Sequence, residues 1–223
     1  MGNAGNISLT TNGSFNFSNG NLFSNVRAGG TGRAGDIAIK AGSLSLSSNA
    51  QIQSGVLEAL GDRQAGQGNG ISQVIIDVRD DVRILRSGIF TDVESGASGN
   101  ASNIKITSQA GSIFLEDGAL LRSSNTSDGL AGDIVLNAHD RISINNSGIE
   151  SKGNFGRILI GKSEISEETS SPRIVSINNS TLSTTNNSVE GFSDTPLNAK
   201  EISINTLESI FLANQSKIIS STE

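Results

Sequence analysis

Short apolar triplets alternate with polar, glycine-rich stretches along this chain, and one arrangement of triplets keeps returning. A small residue, then Asn or Asp, then Ile-x-aliphatic occurs at Gly5-Asn6-Ile7-Ser8-Leu9, Gly35-Asp36-Ile37-Ala38-Ile39, Ser102-Asn103-Ile104-Lys105-Ile106 and Gly132-Asp133-Ile134-Val135-Leu136. Weaker copies stand at Val74-Ile75-Ile76, Ile158-Leu159-Ile160 and Ile202-Ser203-Ile204. A second apolar-x-apolar triplet follows each: Phe15/Phe17, Leu44/Leu46, Val82/Ile84, Ile113/Leu115, Ile142/Ile144, Val175/Ile177 and Ile210/Leu212. Five or six residues later comes one more apolar position, namely Leu22, Ile52, Ile89, Leu120, Ile149, Leu182 and Ile218. A spacing of two places both members of a triplet on one face of a strand.

Seven units of three short strands describe the coils of a parallel β-helix, an all-β solenoid of about seven coils. Stacked coils bring equivalent inward positions over one another, and the first column from Ile7 to Ile202 is entirely β-branched, which suits a pleated surface. The second turn carries Ser48-Asn49, Asp117-Gly118, Asn145-Asn146, Asn178-Asn179 and Asn214-Gln215, residues that tolerate positive φ. Asn145 and Asn178 are expected to form a short amide ladder along the axis. Residues 1–223 read as a single solenoid domain with loop insertions at about 55–70, 162–172 and 185–198. The best helix candidate, Val56 to Leu60, is too short to be more than loop decoration.

Composition fits a thin repeated core: 35% apolar residues, 26 Gly, 2 Pro and no Cys, Trp or Tyr. The net charge of −6 argues against nucleic acid and anionic membranes as partners. No apolar run reaches the roughly 20 residues needed to span a bilayer, so no membrane insertion is expected. No secretory signal is expected at the start of the chain, because Met1 to Asn6 runs straight into repeat-like sequence, and the myristoylation pattern fails because residue 6 is Asn rather than Ser or Thr.

Candidate chemistry is sparse, and no catalytic, cofactor-binding or metal residues are assigned. Gly30-Thr31-Gly32-Arg33-Ala34-Gly35 matches G-x-G-x-x-G but precedes a short strand, where nucleotide binding needs a helix. Gly66, Gly68 and Gly70 lack the Lys-Ser/Thr of a phosphate loop. His139, the only His, is a turn residue, and one His supplies neither a triad nor a metal cluster. Asp77, Arg79, Asp80, Asp81 and Arg83 form the nearest carboxylate constellation, yet adjacent coils offer Ala41-Gly42 and Ala110-Gly111, without complementary charge. Glu164, Glu167 and Glu168 read as a solvated acidic loop rather than a calcium site. Among outward positions, Val135 and Leu159 would be adjacent and exposed, and Phe23, Phe90, Leu121 and Ile219 would also point out, mostly under loops.

With Ala-Gly-Asp-Ile at 34–37 and again at 131–134, the chain resembles the large exoproteins of the two-partner secretion system, the filamentous haemagglutinin-like adhesins, and among them the long cyanobacterial kind. The resemblance extends over essentially all of the chain. It implies a right-handed parallel β-helix, export through an outer-membrane pore partner, an extracellular or cell-surface location and a role in adhesion or aggregation through an unknown carbohydrate or protein ligand. The signal peptide and secretion domain of that family are not visible, so the chain reads as an internal fragment or split gene product whose open ends invite stacking. Two other expectations stand beside the non-catalytic adhesin: a carbohydrate-active β-helix enzyme, which would need a groove with three or more convergent charged side chains, and a non-functional remnant. Ile144→Asp is expected to lower the thermal midpoint strongly, because an unpaired charge in so narrow a core is costly. An unchanged melting curve would refute the alignment of the coils.

Overall fold

The structure is a computed structural model that describes residues 2–58, 66–68, 72–127, 129–161, 171–186 and 201–222. Among them there is no helix, and the main body consists of three seven-stranded sheets, parallel throughout. The first sheet runs Ile7–Thr10, Ile37–Ala41, Gln73–Val78, Asn103–Ser108, Ile134–Ala138, Ile158–Ile160 and Ile202–Ile204. The second runs Ser14–Ser18, Ser43–Ser47, Val82–Leu85, Ile113–Glu116, Arg141–Asn145, Ile174–Asn178 and Ser209–Ala213. The third runs Asn21–Phe23, Gln51–Gln53, Gly88–Phe90, Leu120–Ser124, Gly148–Lys152, Thr181–Asn186 and Lys217–Thr222. Each coil gives one strand to each sheet, so hydrogen bonds run along the axis of a parallel β-helix.

The register matches the expected columns. Ile7 pairs with Ile37, Ile37 with Val74, and the series continues through Ile104, Ile134 and Ile158 to Ile202. The second-sheet triplets stack likewise from Phe15 to Ile210. Together with the third-sheet column they form one continuous aliphatic core. In the last rung, which has a neighbour on one side only, Ile210, Leu212 and Ile218 are 44%, 51% and 41% exposed.

One column member needs correction. Leu121, not Leu120, pairs with Ile89 and Ile149, and it is fully buried, whereas Leu120 lies in the outward row beside Gly88 and Gly148. The cause is the turn before it. Turns with one left-handed residue (Asn19, Arg86, Asn146 and Asn179) place the next inward side chain five residues after the last. Turns with two left-handed residues in succession (Ser48-Asn49, Asp117-Gly118 and Asn214-Gln215) place it six residues after. Gly118, at φ +93°, is the second of such a pair.

Asn residues bind the second turns together. Asn178 Nδ2 donates to Asn145 Oδ1 at 2.6 Å, and Asn214 Nδ2 donates to Asn178 Oδ1 at 2.7 Å. Beside this ladder, Asn179 Nδ2 donates to Asn146 Oδ1 at 2.7 Å. An amide suits such a stack because it carries both donor and acceptor.

The corner from the third sheet back to the first explains the small residue and the Asn or Asp of each anchor. Ser24, Ser54, Thr91, Ser123, Ser151 and Thr184 point inward there and are buried. Ser24 Oγ donates to the Gly5 carbonyl, Ser54 Oγ to that of Gly35 and Ser151 Oγ to that of Gly132, at 2.6–3.1 Å. A Cβ on Gly35 would collide with the Gly5 carbonyl and with Ser24 Oγ. The anchor's polar residue then caps the next coil: Asn6 Oδ1 accepts from the Asp36 amide, Asp36 Oδ1 from Gln73, Asn103 Oδ1 from Asp133 and Asp133 Oδ1 from Arg157.

Beyond this corner the first four coils carry a flange. Val26, Val56, Val93 and Asn125 bridge in parallel, and Thr31–Gly32 pairs with Gln67–Gly68. Val26, Ala34, Val56, Val93, Ala97 and Ala101 form its small separate core. Residues 55–58 and 66–68 of the first expected insertion therefore belong to an ordered stack, while 59–65, 69–70, 162–170 and 187–198 lie outside the described residues, as do the last two positions of the helix candidate. Thr185 and Asn186 end a strand rather than begin a loop. Leu121→Ala is expected to cost about 2–5 kcal/mol and Leu120→Ala about 1 kcal/mol or less, read from urea midpoints; equal losses would contradict the register.

Candidate functional site

The carboxylate constellation of the third coil does not converge. Arg79 and Asp80 pair with each other at 2.8 Å, and both are exposed. That hydrogen bond lowers the Asp80 pKa and raises that of Arg79. Asp81 Oδ1 accepts from the Ser112 amide at 2.9 Å, and Asp77 accepts from Gln109 at 2.8 Å. Arg83 faces outward from the second sheet, bound to Glu116 at 2.9 Å and resting on Phe114. Asp77, Arg79 and Lys40 share only a small cavity of about 140 Å³.

The other candidates have structural roles. Gly30 to Gly35 belongs to the flange and leads into the strand Ile37–Ala41; Gly66 and Gly68 also belong to the flange, in the coil that follows, and Gly70 lies outside the described residues, with Glu164, Glu167 and Glu168. His139 is an exposed turn residue whose amide donates to the Gly111 carbonyl at 3.2 Å. Of the outward apolar residues, Phe23 and Ile219 are each 40% exposed and Phe90 is half-buried. The expected exposed pair fails, since Leu159 is buried and Val135 half-buried, and Leu121 points into the core.

A charged groove that the sequence did not reveal lies between the flange and the outer face of the third sheet. It has a volume of about 430 Å³ and is lined by Glu58, Asp92, Val93, Glu94 and Ser95 on the flange side and Arg122, Ser124, Glu150 and Lys152 on the sheet side. The outward row of the sheet reads Phe23, Gln53, Phe90, Arg122, Glu150, Ser183 and Ile219 on successive coils. Phe90, Arg122 and Glu150 are thus consecutive neighbours, about 4.8 Å apart along the axis.

Arg122 is held on two sides. Its Nη2 donates to Asp92 Oδ2 at 2.5 Å and its Nε reaches both carboxylate oxygens at 3.1–3.2 Å. Its guanidinium lies 5.1 Å from the centre of the Phe90 ring, a cation–π contact. That ring is folded back over Gly88, where a Cβ would collide with it. Asp92 is only 6% exposed and Arg122 37%. Burial pushes the Asp92 carboxyl above its ordinary pKa, outweighing the opposing Arg122 bonds. The hydrogen bond to Asp92 raises the pKa of Arg122 in turn.

The result is a guanidinium fixed in direction, with Nη1 making no bond to Asp92, among carboxylates that accept hydrogen bonds. Such a surface sets hydrogen-bond donors and acceptors side by side. Among the described residues no cluster of three or more His, Cys, Asp or Glu is arranged to hold a metal ion. The partnership of Asp92 with Arg122 spans one coil and depends on the register in which Leu121, not Leu120, faces inward.

Asp92→Asn separates burial from ion pairing. A carboxyl whose folded pKa exceeds its unfolded one adds stability at low pH and loses it as pH rises from about 4 through the folded value. The stability of the Asn variant relative to the parent should therefore increase with pH in that window, measured by urea unfolding at several pH values. The opposite slope would mean that the bond to Arg122 outweighs burial.

No family model matches the chain, and no curated protein or solved structure matches it either.

Proposed function

We propose that this chain is a non-catalytic structural and adhesive segment of a secreted or surface-displayed β-helix, one that mediates attachment or aggregation. The observation that carries this reading is the uninterrupted register of seven rungs, which makes a stiff rod out of a thin core. Its inward side chains, corner hydroxyls and turn amides serve the stack, leaving the outward rows to meet partners. The resemblance to the filamentous haemagglutinin-like exoproteins supports the same reading and supplies the outer-membrane pore partner and the surface location.

The charged groove meets the condition set for the alternative, a carbohydrate-active enzyme. Its chemistry favours binding over cleavage. A glycosidase needs an acid that reaches the glycosidic oxygen and a second carboxylate across the bond. Asp92 has the raised pKa suited to the acid, but it is almost fully buried and is tied to Arg122 by three hydrogen bonds. It positions the guanidinium instead.

Beads coated with the chain should attach to bacterial cells, or to one another, several-fold more than albumin-coated beads. The soluble chain should release no reducing or unsaturated ends from polysaccharides. Attachment no greater than that of albumin would sink the adhesive reading, and steady product release would replace it with the enzymatic one.

A further inference from the structure

The groove between the flange and the third sheet suits a particular class of ligand. We infer that it binds a linear, hydroxyl-rich glycan without acidic groups, neutral or amine-bearing, laid along the axis across Phe90, Arg122 and Glu150. The inference rests on the adhesive reading and names the ligand class of that surface.

Charge is the first argument. The lining holds four carboxylates, Glu58, Asp92, Glu94 and Glu150, against two cations, Arg122 and Lys152. A polyanion would meet net repulsion, and a neutral or amine-bearing chain would not.

Asp92 is the second. Positions in register with it, or equivalent by repeat, hold Ser124, Lys152 and Thr185, and the repeat does not require a buried carboxylate there. Keeping a carboxyl in a site that raises its pKa opposes stability. What it secures is the direction of Arg122, whose Nε and Nη2 both donate to the Asp92 carboxylate and whose guanidinium rests against the Phe90 ring. A guanidinium held in this way loses little freedom when a ligand arrives, which is what a recognition site requires.

Spacing is the third. Arg122 supplies donors and Glu150 supplies acceptors on adjacent rungs about 4.8 Å apart. That step is close to the length of one pyranose residue, and vicinal hydroxyls both donate and accept. An extended peptide presents same-face side chains about 6.7 Å apart, out of step with the rungs.

Isothermal titration of the full chain with β-glucan oligomers, chitosan oligomers and polygalacturonate tests this. The first or second should bind and polygalacturonate should not. Glu150→Ala, Glu94→Gln and Arg122→Lys should each weaken binding, the last by roughly tenfold because Lys lacks the planar fork. The unfolding midpoints of the Glu150 and Glu94 variants should stay near the parent's, which separates a lost contact from a lost fold; Arg122→Lys also weakens the pair with buried Asp92, so its midpoint should fall. The inference is overturned if no glycan binds, if polygalacturonate binds as tightly, or if affinity survives all three substitutions. Attachment of parent-coated beads with no glycan binding would defeat the groove and leave the adhesive reading intact. Failed bead attachment with intact glycan binding would do the reverse.

Discussion

Between the first and last rungs, the peptide groups of the three sheets pair with the rung above or below along the axis, and that requirement governs the rest of the molecule. In-register parallel pairing sets like positions over like, so a residue type succeeds only if it tolerates its own neighbours. Aliphatic side chains do so inside the core. Amides do so at the turns, as the bonded series Asn145, Asn178 and Asn214 shows. Hydroxyls do so at the corner, where Ser54, Ser72 and Ser102 lie in hydrogen-bonded contact. Charges do not stack on themselves, and the outward rows respect this. Arg122 has Phe90 on one side and Glu150 on the other, and Arg83 has Phe114 beside it and Glu116 within reach.

This rule also decides what could be read from the sequence. Inward positions repeat with a period of two inside each strand, so the first two columns were legible in full. The amide ladder followed from the same alignment. Leu120 and Leu121 are chemically equivalent, and only turn length separates them. The Asp117-Gly118 pair carries that information through its two positive φ values, as Ser48-Asn49 does in the second coil. A count of apolar residues cannot see it.

The flange was missed for a different reason. Its core residues Val26, Val56 and Val93 each stand four residues beyond the third-sheet inward position, separated by the buried hydroxyls Ser24, Ser54 and Thr91. The period of two continues past the strand, but the hydroxyl breaks the run of apolar residues that marks a buried face. In addition, Val26 to Ile37 parallels Val93 to Ile104 residue for residue, with Gly29 and Gly96 at positive φ in both. That signal lies two coils apart, beyond any single-unit comparison.

The end of the flange is also what makes the groove. The column of Val26, Val56 and Val93 becomes Asn125 in the fourth coil, and its Nδ2 donates to the carbonyls of Gly99 and Leu130 instead of extending the apolar core. The stack of turns stops against that amide, and the third sheet beyond it carries Glu150 and Lys152 into the opening. Arg83 on the second sheet shows the contrast. It too rests on a Phe and pairs with an acid, but no flange stands beside it, and its partner Glu116 remains 26% exposed. Asp92 differs because the flange covers its side of the pair. A solenoid repeats its chemistry wherever the repeat is intact, so a distinctive surface arises only where a column changes character, and Asn125 marks that change.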